Sequence, residues 1–485
     1  MLRARDAADV SQAVRFAAAH RLRLVVRGGG HSYIGGSNAP DSLMIWTRDM
    51  DEVTLHDGFV PLGSSSAPVP AVSLGAGCIW LDAYRAVTTH GGRYVQGGGC
   101  TTVGVGGFVQ GGGFGSFSKA FGTGAAHLLE AEIVTADGRV RIVNAVREPD
   151  LFWALRGGGG GTFGVVTRLT LRTHDLPRRF GVVHWTLRAI SDAAFRRLLD
   201  RFVALYADHL FNPHWGEQAS ARPGNVLEVT MLFQGLDAAQ AQAAWQGLIT
   251  FVAAHPREYV AGDDLLIADI PARHFWDEAY MSQVLPSAVA RDTREGAGRD
   301  NWWWKGDSQQ VAAFWHGYES AWLPQRLLHG ENRAAFVDAW FSASRRWPVT
   351  LHFNKGLAGG SASAIDTSGA TAMNAKVLDA FALAIIACDG PTAYLGLSET
   401  DLATARRNRS HIRQAMQALR NVIPDAGCYM SECDYNLPDW QRAFWGDNAQ
   451  RLQQVKKRYD PTGLFMIHHG VGSDGWSADG FTRTG

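Results

Sequence analysis

The chain has 485 residues, 46% of them hydrophobic, and its 46 basic and 46 acidic side chains cancel without any block of like charge. That length implies two or three domains with enough apolar content for their cores, and the charge balance argues against a nucleic-acid footprint or a polybasic membrane patch. Small molecules are the expected partners. No run of about eighteen apolar residues occurs, and the start, "MLRARDAADVSQAVRFAAAHRL", reads as an amphipathic helix without the apolar region of a signal peptide, so the chain as given reads as soluble. Five cysteines, Cys78, Cys100, Cys388, Cys428 and Cys433, make an odd count with no zinc-like pair of pairs. Neither a metal site nor a disulfide framework is expected.

In chain order, residues 7–20 predict a helix, and 22–27 a strand that runs into the loop "GGGHSYIGG". "IWLDAYRAVTTHGG" predicts a helix stopped at Gly91. "EAEIVTADGRVRIVN" alternates on both sides of Asp137-Gly138 and predicts a hairpin with a primed turn. "DLFWALRGG" predicts a short helix and "FGVVTRLTLRT" a strand. A boundary falls near 175–180, where "THDLPRRF" supplies a turn and a proline. Beyond it, strands such as "VLEVTMLFQG" alternate with helices at 237–254, 331–345 and 401–420, the pattern of an α+β unit with a larger sheet. Cys428 and Cys433 are placed on a strand that leads into the tail, facing opposite sides. The tail is predicted helical to about Tyr459 and closes with an Asp-Pro-Thr-Gly turn.

Among 55 glycines, five clusters precede residue 165, at 28–30, 35–36, 97–99, 104–113 and 157–161. No G-x-x-x-x-G-K-[ST] is present. A G-x-G-x-x-G occurs at Gly159, Gly161 and Gly164, but a β-branched run follows it where a dinucleotide fold needs a helix. Several separate loops with exposed N–H groups still suit a diphosphate, so the pattern calls for a long phosphorylated cofactor held by many loops. His31, behind three glycines, is placed to touch what they bind.

Four segments then carry a likeness: "RGGGHS" (27–32), "GGGCTTVGVGGFVQGGGFG" (97–115), "DLFWALRGGGGGTFGVVT" (150–167) and "RLQQVKKRYDPTGLF" (451–465). In that order, spanning essentially the whole chain, they resemble the berberine-bridge-enzyme-like branch of the vanillyl-alcohol-oxidase superfamily of flavoproteins. Within it "GGSNAPDSLMIWT", "TAMNAKVLDAFALAII" and "HHGVGSDGW" are similar to the microbial isoamyl-alcohol-oxidase-like members. The resemblance implies an α+β protein with a PCMH-type FAD-binding domain split between residues 1–178 and 429–485. Between them, residues 179–428 would form a substrate domain, an antiparallel sheet flanked by helices. It implies FAD attached covalently at two points, through His31 to the flavin 8-methyl carbon and through Cys100 to the 6-carbon. Both are nucleophiles an electron-poor ring accepts, and two such attachments raise its potential. Further cofactor contacts are expected from Arg27, Gly28, Gly29, Gly30, Ser32, Gly97, Gly98, Val103, Gly104, Gly107, Gly161, Gly164 and Val165. Val103 stands where this branch resembles an oxygen gate, and a small side chain there favours reoxidation by dioxygen with release of hydrogen peroxide.

The substrate side departs from the family. Many members carry Y-x-N-Y-x-D, whose second tyrosine is the base; here the run is "YMSECD", residues 429–434, with Glu432 at that position. Glu432 is either the base for the hydroxyl proton or the partner of a cation, with Tyr429 the alternative base. "LHFNKGLAGG" puts His352 and Asn354 on one strand face and Lys355 on the other, and one of these faces is expected at the substrate. "NWWWKGD" (301–307) reads as core or lid packing, with the lining of an apolar substrate entrance as the alternative. The expectation is an FAD-dependent oxidase of a hydroxyl-bearing small molecule. A carbohydrate (lactol) oxidase, against which Glu432 argues, an oxidative cyclase of secondary metabolism and a flavin-binding protein with little turnover are the alternatives. Relatives usually have more chain before the first helix, often with a secretion signal. Cytoplasmic residence as given, and secretion or a periplasmic location from a longer start, therefore both stay open.

Overall fold

The computed structural model describes residues 1–297, 301–310, 313–393, 396 and 399–484. The first helix, Ala7–His20, starts where the Asp6 side chain accepts from the Asp9 N–H, and it buries Val10, Ala13, Val14 and Ala17. Those four positions form one stripe, which packs with Leu24, Ile45, Val134, Val165 and Phe465. Two sheets therefore meet beneath it. One is parallel, in the order Leu2–Arg3, Ser42–Trp46, Arg23–Arg27. The other is antiparallel, in the order Val53–Phe59, Val69–Gly75, Val165–Arg172, Leu128–Val134, Val140–Asn144.

The hairpin of the last two strands forms, but its turn is not a primed one. Gly138 alone has positive φ (71°), with its N–H bonded to the Thr135 carbonyl, whereas a type I′ turn needs both central residues there. The Asp137 side chain accepts from the Thr135 hydroxyl and the Arg139 N–H, which stabilises the longer loop instead. The helix expected after Ile79 begins as α-helix at Trp80–Tyr84, widens to a π-turn over Arg85–His90 and stops at Gly91.

An eight-stranded antiparallel sheet follows. Its order is Tyr259–Ala261, Arg179–Ala189, Val226–Gln234, Trp215–Arg222, Val349–His352, Ala380–Thr392, Ala313–Pro324, with Leu266–Pro271 also paired to Arg179–Ala189. Alternation sends Ala219, Ala221, Val349, Leu351, Ala321 and Ala384 into one core with helices Asp192–Leu205, Ala238–Ala254, Gly330–Ser344 and Leu402–Arg420. The intervening residues, among them Gln218, His352 and Tyr318, line a cavity on the other face.

Helices Trp440–Trp445 and Ala449–Tyr459 return to the first unit, where Phe444, Trp445, Leu452 and Val455 share a core with Val72, Trp80, Val109 and Phe163. A buried cation secures this return. Lys456 Nζ donates to Asp460 Oδ2 (2.6 Å) and to the carbonyls of Thr162 (2.6 Å) and Phe465 (2.7 Å). The stretch 424–439 is turns, not the expected strand. Without strand alternation Cys428 and Cys433 are not sent to opposite sides; both are buried in that same core as free thiols.

Candidate active site

Where the glycine loops, the open face of the large sheet and the turn at 429–432 converge, they enclose a cavity of about 570 Å³. Its wall is bare backbone because two loops touch there. A Cβ built on Gly29 would lie 2.9 Å from Gly104 Cα, and one on Gly104 would lie 3.0 Å from Gly29 Cα. No side chain fits between them. Gly28 to Ser32, Gly98, Cys100, Val103, Gly104, Gly107, Gly161 and Gly164 all line the cavity.

Three expected cofactor residues do not. The Arg27 guanidinium turns away to the Ser37 carbonyl (3.2 Å). Gly97 is wedged against the Trp80 and Tyr84 side chains. Val165 points into the core under the first helix, and by strand alternation its neighbour Val166 takes the cavity wall.

His31 and Cys100, 69 positions apart in sequence, converge on one hydroxyl: Thr102 Oγ1 is 3.0 Å from His31 Nε2 and 3.4 Å from Cys100 Sγ. The Thr102 backbone also hydrogen-bonds the His31 ring. Burial lowers the imidazole's pKa, which keeps it neutral and nucleophilic. Burial, and the nearby Asp307 carboxylate, push the Cys100 thiol up to about 12. Asp307 also accepts from the Thr101 N–H (3.2 Å), so it is built into this loop. It comes from the tryptophan-rich stretch, whose Trp302 and Trp304 pack edge to face at 4.8 Å on the first unit's core.

On the substrate side Lys355 Nζ donates to both oxygens of Glu432, at 2.5 and 2.7 Å. Lys355 thus shares the cavity with His352 and Asn354, against the face expected from alternation. The strand ends at His352, and a turn closed by the Lys355 N–H to the His352 carbonyl (3.1 Å) swings the lysine inward. Burial and Lys355 hold His352 well below the usual imidazole range. Tyr429 is buried edge-on to Phe114 at 5.0 Å, and its hydroxyl accepts from the Gly113 N–H (3.3 Å). Burial first, then the Glu432 charge, raise its pKa.

Sequence reasoning missed Thr102, Glu217, Tyr33 and Tyr318, and it took Asp307 only as part of a packing cluster. The two tyrosine rings stack at 5.0 Å on the cavity wall, with Trp315 edge-on to Tyr33 at 4.8 Å. Glu217 accepts from the Ser116 hydroxyl and from Asn354 Nδ2 (3.4 Å). Nothing in "HWGEQASAR" marks it, because only the strand's position in the sheet brings it to the cavity.

Comparison with known proteins agrees with this geometry. Residues 1–144 match the FAD binding domain family, and residues 428–472 match the berberine and berberine-like family. The FAD-linked oxidoreductase easE of Arthroderma otae is 33% identical over 99% of this chain and 73% of its own length. The crystal structure of the VAO-type flavoprotein MtVAO615 from Myceliophthora thermophila C1 superposes with a TM-score of 0.79 at 25% identity, covering 99% of this chain and 81% of that one. A glucooligosaccharide oxidase from Acremonium strictum shares the fold, with a TM-score of 0.71 at 20% identity over 96% of this chain and 90% of its own. The chain belongs to the berberine-bridge-enzyme-like branch of the vanillyl-alcohol-oxidase superfamily, and it is an FAD-linked oxidoreductase. The residues present fit that cofactor. The wall is backbone, a Cβ on Gly107 would meet only open space, and the buried Gln110 Oε1 and Asn354 Oδ1 at the cavity lack partners among the described residues. Among the described residues no helix is long and apolar enough to cross a membrane.

Proposed function

We propose that the protein is an oxidase whose FAD is bonded to His31 and Cys100, and that it converts a hydroxyl-bearing small molecule to a carbonyl compound with release of hydrogen peroxide. The observation that carries this reading is the convergence of His31 and Cys100 on the Thr102 hydroxyl at a glycine-walled cavity. The Acremonium strictum oxidase, named for a 6-S-cysteinyl, 8α-N1-histidyl FAD, supports it. When bound, FAD supplies the two-electron acceptor and the means of reducing dioxygen. The chain's own residues do the rest. Gly29 and Gly104 let two loops close on the cofactor, and Val103 leaves space beside it for dioxygen. The wall carrying His352, Asn354 and Lys355 orients a polar substrate. Glu432 has the ion-pair role, since Lys355 holds both of its oxygens, and Tyr429 is tied to the Gly113 N–H.

The polar wall together with the stacked Tyr33 and Tyr318 rings favours a sugar or another polyol as the hydroxyl compound, because aromatic faces pack against a sugar's C–H surface while polar groups take its hydroxyls. Acid precipitation tests the attachment: the pellet stays yellow, the single variants His31→Ala and Cys100→Ala each keep flavin through the other bond, and the double variant releases it. Full release from the unaltered protein refutes the reading. A panel of alcohols and oligosaccharides assayed for peroxide then selects the substrate.

A further inference from the structure

The strand Trp215–Arg222 breaks its regular geometry at one residue, and that residue faces the cavity. Glu217 has φ of 68°, a left-handed backbone in the middle of a β-strand and on a side chain that is not glycine. Such a conformation costs free energy and persists only where its surroundings enforce it. Those surroundings are visible. Gly216 lies so close to the loop of the first unit that any Cβ there would overlap the Ser116 carbonyl. The kink that follows carries the Glu217 carboxylate to the Ser116 hydroxyl and to Asn354 Nδ2, 3.4 Å away. A Cβ on Gly99, next to Cys100, would sit 3.8 Å from Glu217 Oε1. The carboxylate is thus held between the large sheet and the loop that carries Cys100, and both donors engage the same oxygen, Oε1.

We propose that Glu217 is the proton acceptor of the oxidation, with Lys355 and Glu432 as positioning residues that set the field around it. The proposal rests on the oxidase reading above. The substrate O–H bond breaks, and its proton goes to a Glu217 oxygen while its electron pair becomes the second carbon–oxygen bond. The hydrogen of the C–H bond leaves with its pair as hydride to the oxidised flavin. Burial raises the Glu217 pKa, against the Ser116 hydrogen bond and the Lys355 charge, which lower it, while Glu432 raises it further. The Glu217 charge also raises the pKa of the buried Tyr84 and Tyr94 in the first unit, after burial itself. A carboxylate with a raised pKa is the better proton acceptor, whereas Glu432, with both oxygens clamped by an ammonium, is poorly placed for the task.

The test is anaerobic bleaching of the yellow holoenzyme by benzyl alcohol, isoamyl alcohol and cellobiose. With a reactive probe, Glu217→Gln slows bleaching by about a hundredfold or more at unchanged flavin content, flattens the acidic limb of the rate profile, and exceeds the loss in Glu432→Gln by about tenfold. A Glu217→Gln enzyme within about threefold of the unaltered rate overturns the assignment and leaves the oxidase reading standing. A holoenzyme that none of the probes bleaches counts against the oxidase reading. Thermal unfolding decides Glu217 independently of turnover. Glu217→Gly suits the left-handed backbone, so it melts at or above the unaltered protein if the strain serves function. A clear drop in melting temperature makes the residue structural and overturns the proposal.

Discussion

Replacing Lys355 by methionine removes one partner from an ion pair whose side chains are only 12% and 14% exposed. Solvent-exposed pairs contribute about 0–1 kcal/mol, while stranding one charge of a buried pair costs about 3–5 kcal/mol. Contacts of 2.5 and 2.7 Å to both carboxylate oxygens put this pair near the buried limit, and its residual exposure lets water relieve part of the cost. The expected loss is about 2–4 kcal/mol in the urea unfolding of the holoenzyme. The double variant Lys355→Met/Glu432→Leu leaves no charge behind and should recover most of it. Lys355 also holds the Glu217 pKa down, so its removal lets burial and Glu432 push that pKa higher. A base that must be deprotonated then works only at higher pH, and the acidic limb of flavin reduction moves to the alkaline side. A single variant that loses less than about 1 kcal/mol and leaves the limb in place would refute both the burial argument and the coupling to Glu217.

Three more outcomes are expected. Gly29→Ala forces two backbones apart, so the purified protein should carry much less flavin, read from its visible absorbance per chain. Val103→Leu narrows the cavity at its wall, and on the oxidase proposal stopped-flow reoxidation by dioxygen should slow while anaerobic reduction stays near the unaltered rate; equal slowing of both would point to general disruption. Lys456→Met strands the fully buried Asp460 carboxylate and should cost about 3–5 kcal/mol, seen as a lower melting temperature of the whole protein.

The glycine loops, the first helix, the hairpin strands and the helices after the boundary were legible because each rests on local rules: periodicity, caps and backbone approach. That His31 and Cys100 lie at the glycine-walled cavity was legible from the motifs around them, although their meeting at Thr102 was not. Failures came where the chain leaves regular structure. Lys355 was assigned by strand alternation, but the strand stops three residues before it. Cys428 and Cys433 were assigned the same way in a stretch that forms turns. Val165 and Val166 differ by one step of alternation, and composition alone cannot say which faces the cavity. Glu217 was invisible because its position depends on a long-range contact between Gly216 and Ser116 and on a left-handed backbone that no local propensity favours.

The tail's return to the first core also sets an order of events during synthesis. Leu452, Val455 and Lys456 complete packing around Phe163 and Thr162, and Tyr429, Glu432 and Ile467 complete the cavity wall. A nascent chain that has emerged only as far as the large sheet therefore has His31 and Cys100 but an open-sided pocket with unfinished walls. Flavin capture is therefore expected late, coupled to arrival of the residues after about 428. A ribosome-stalled chain ending before about residue 428 should hold its sheets and remain colourless.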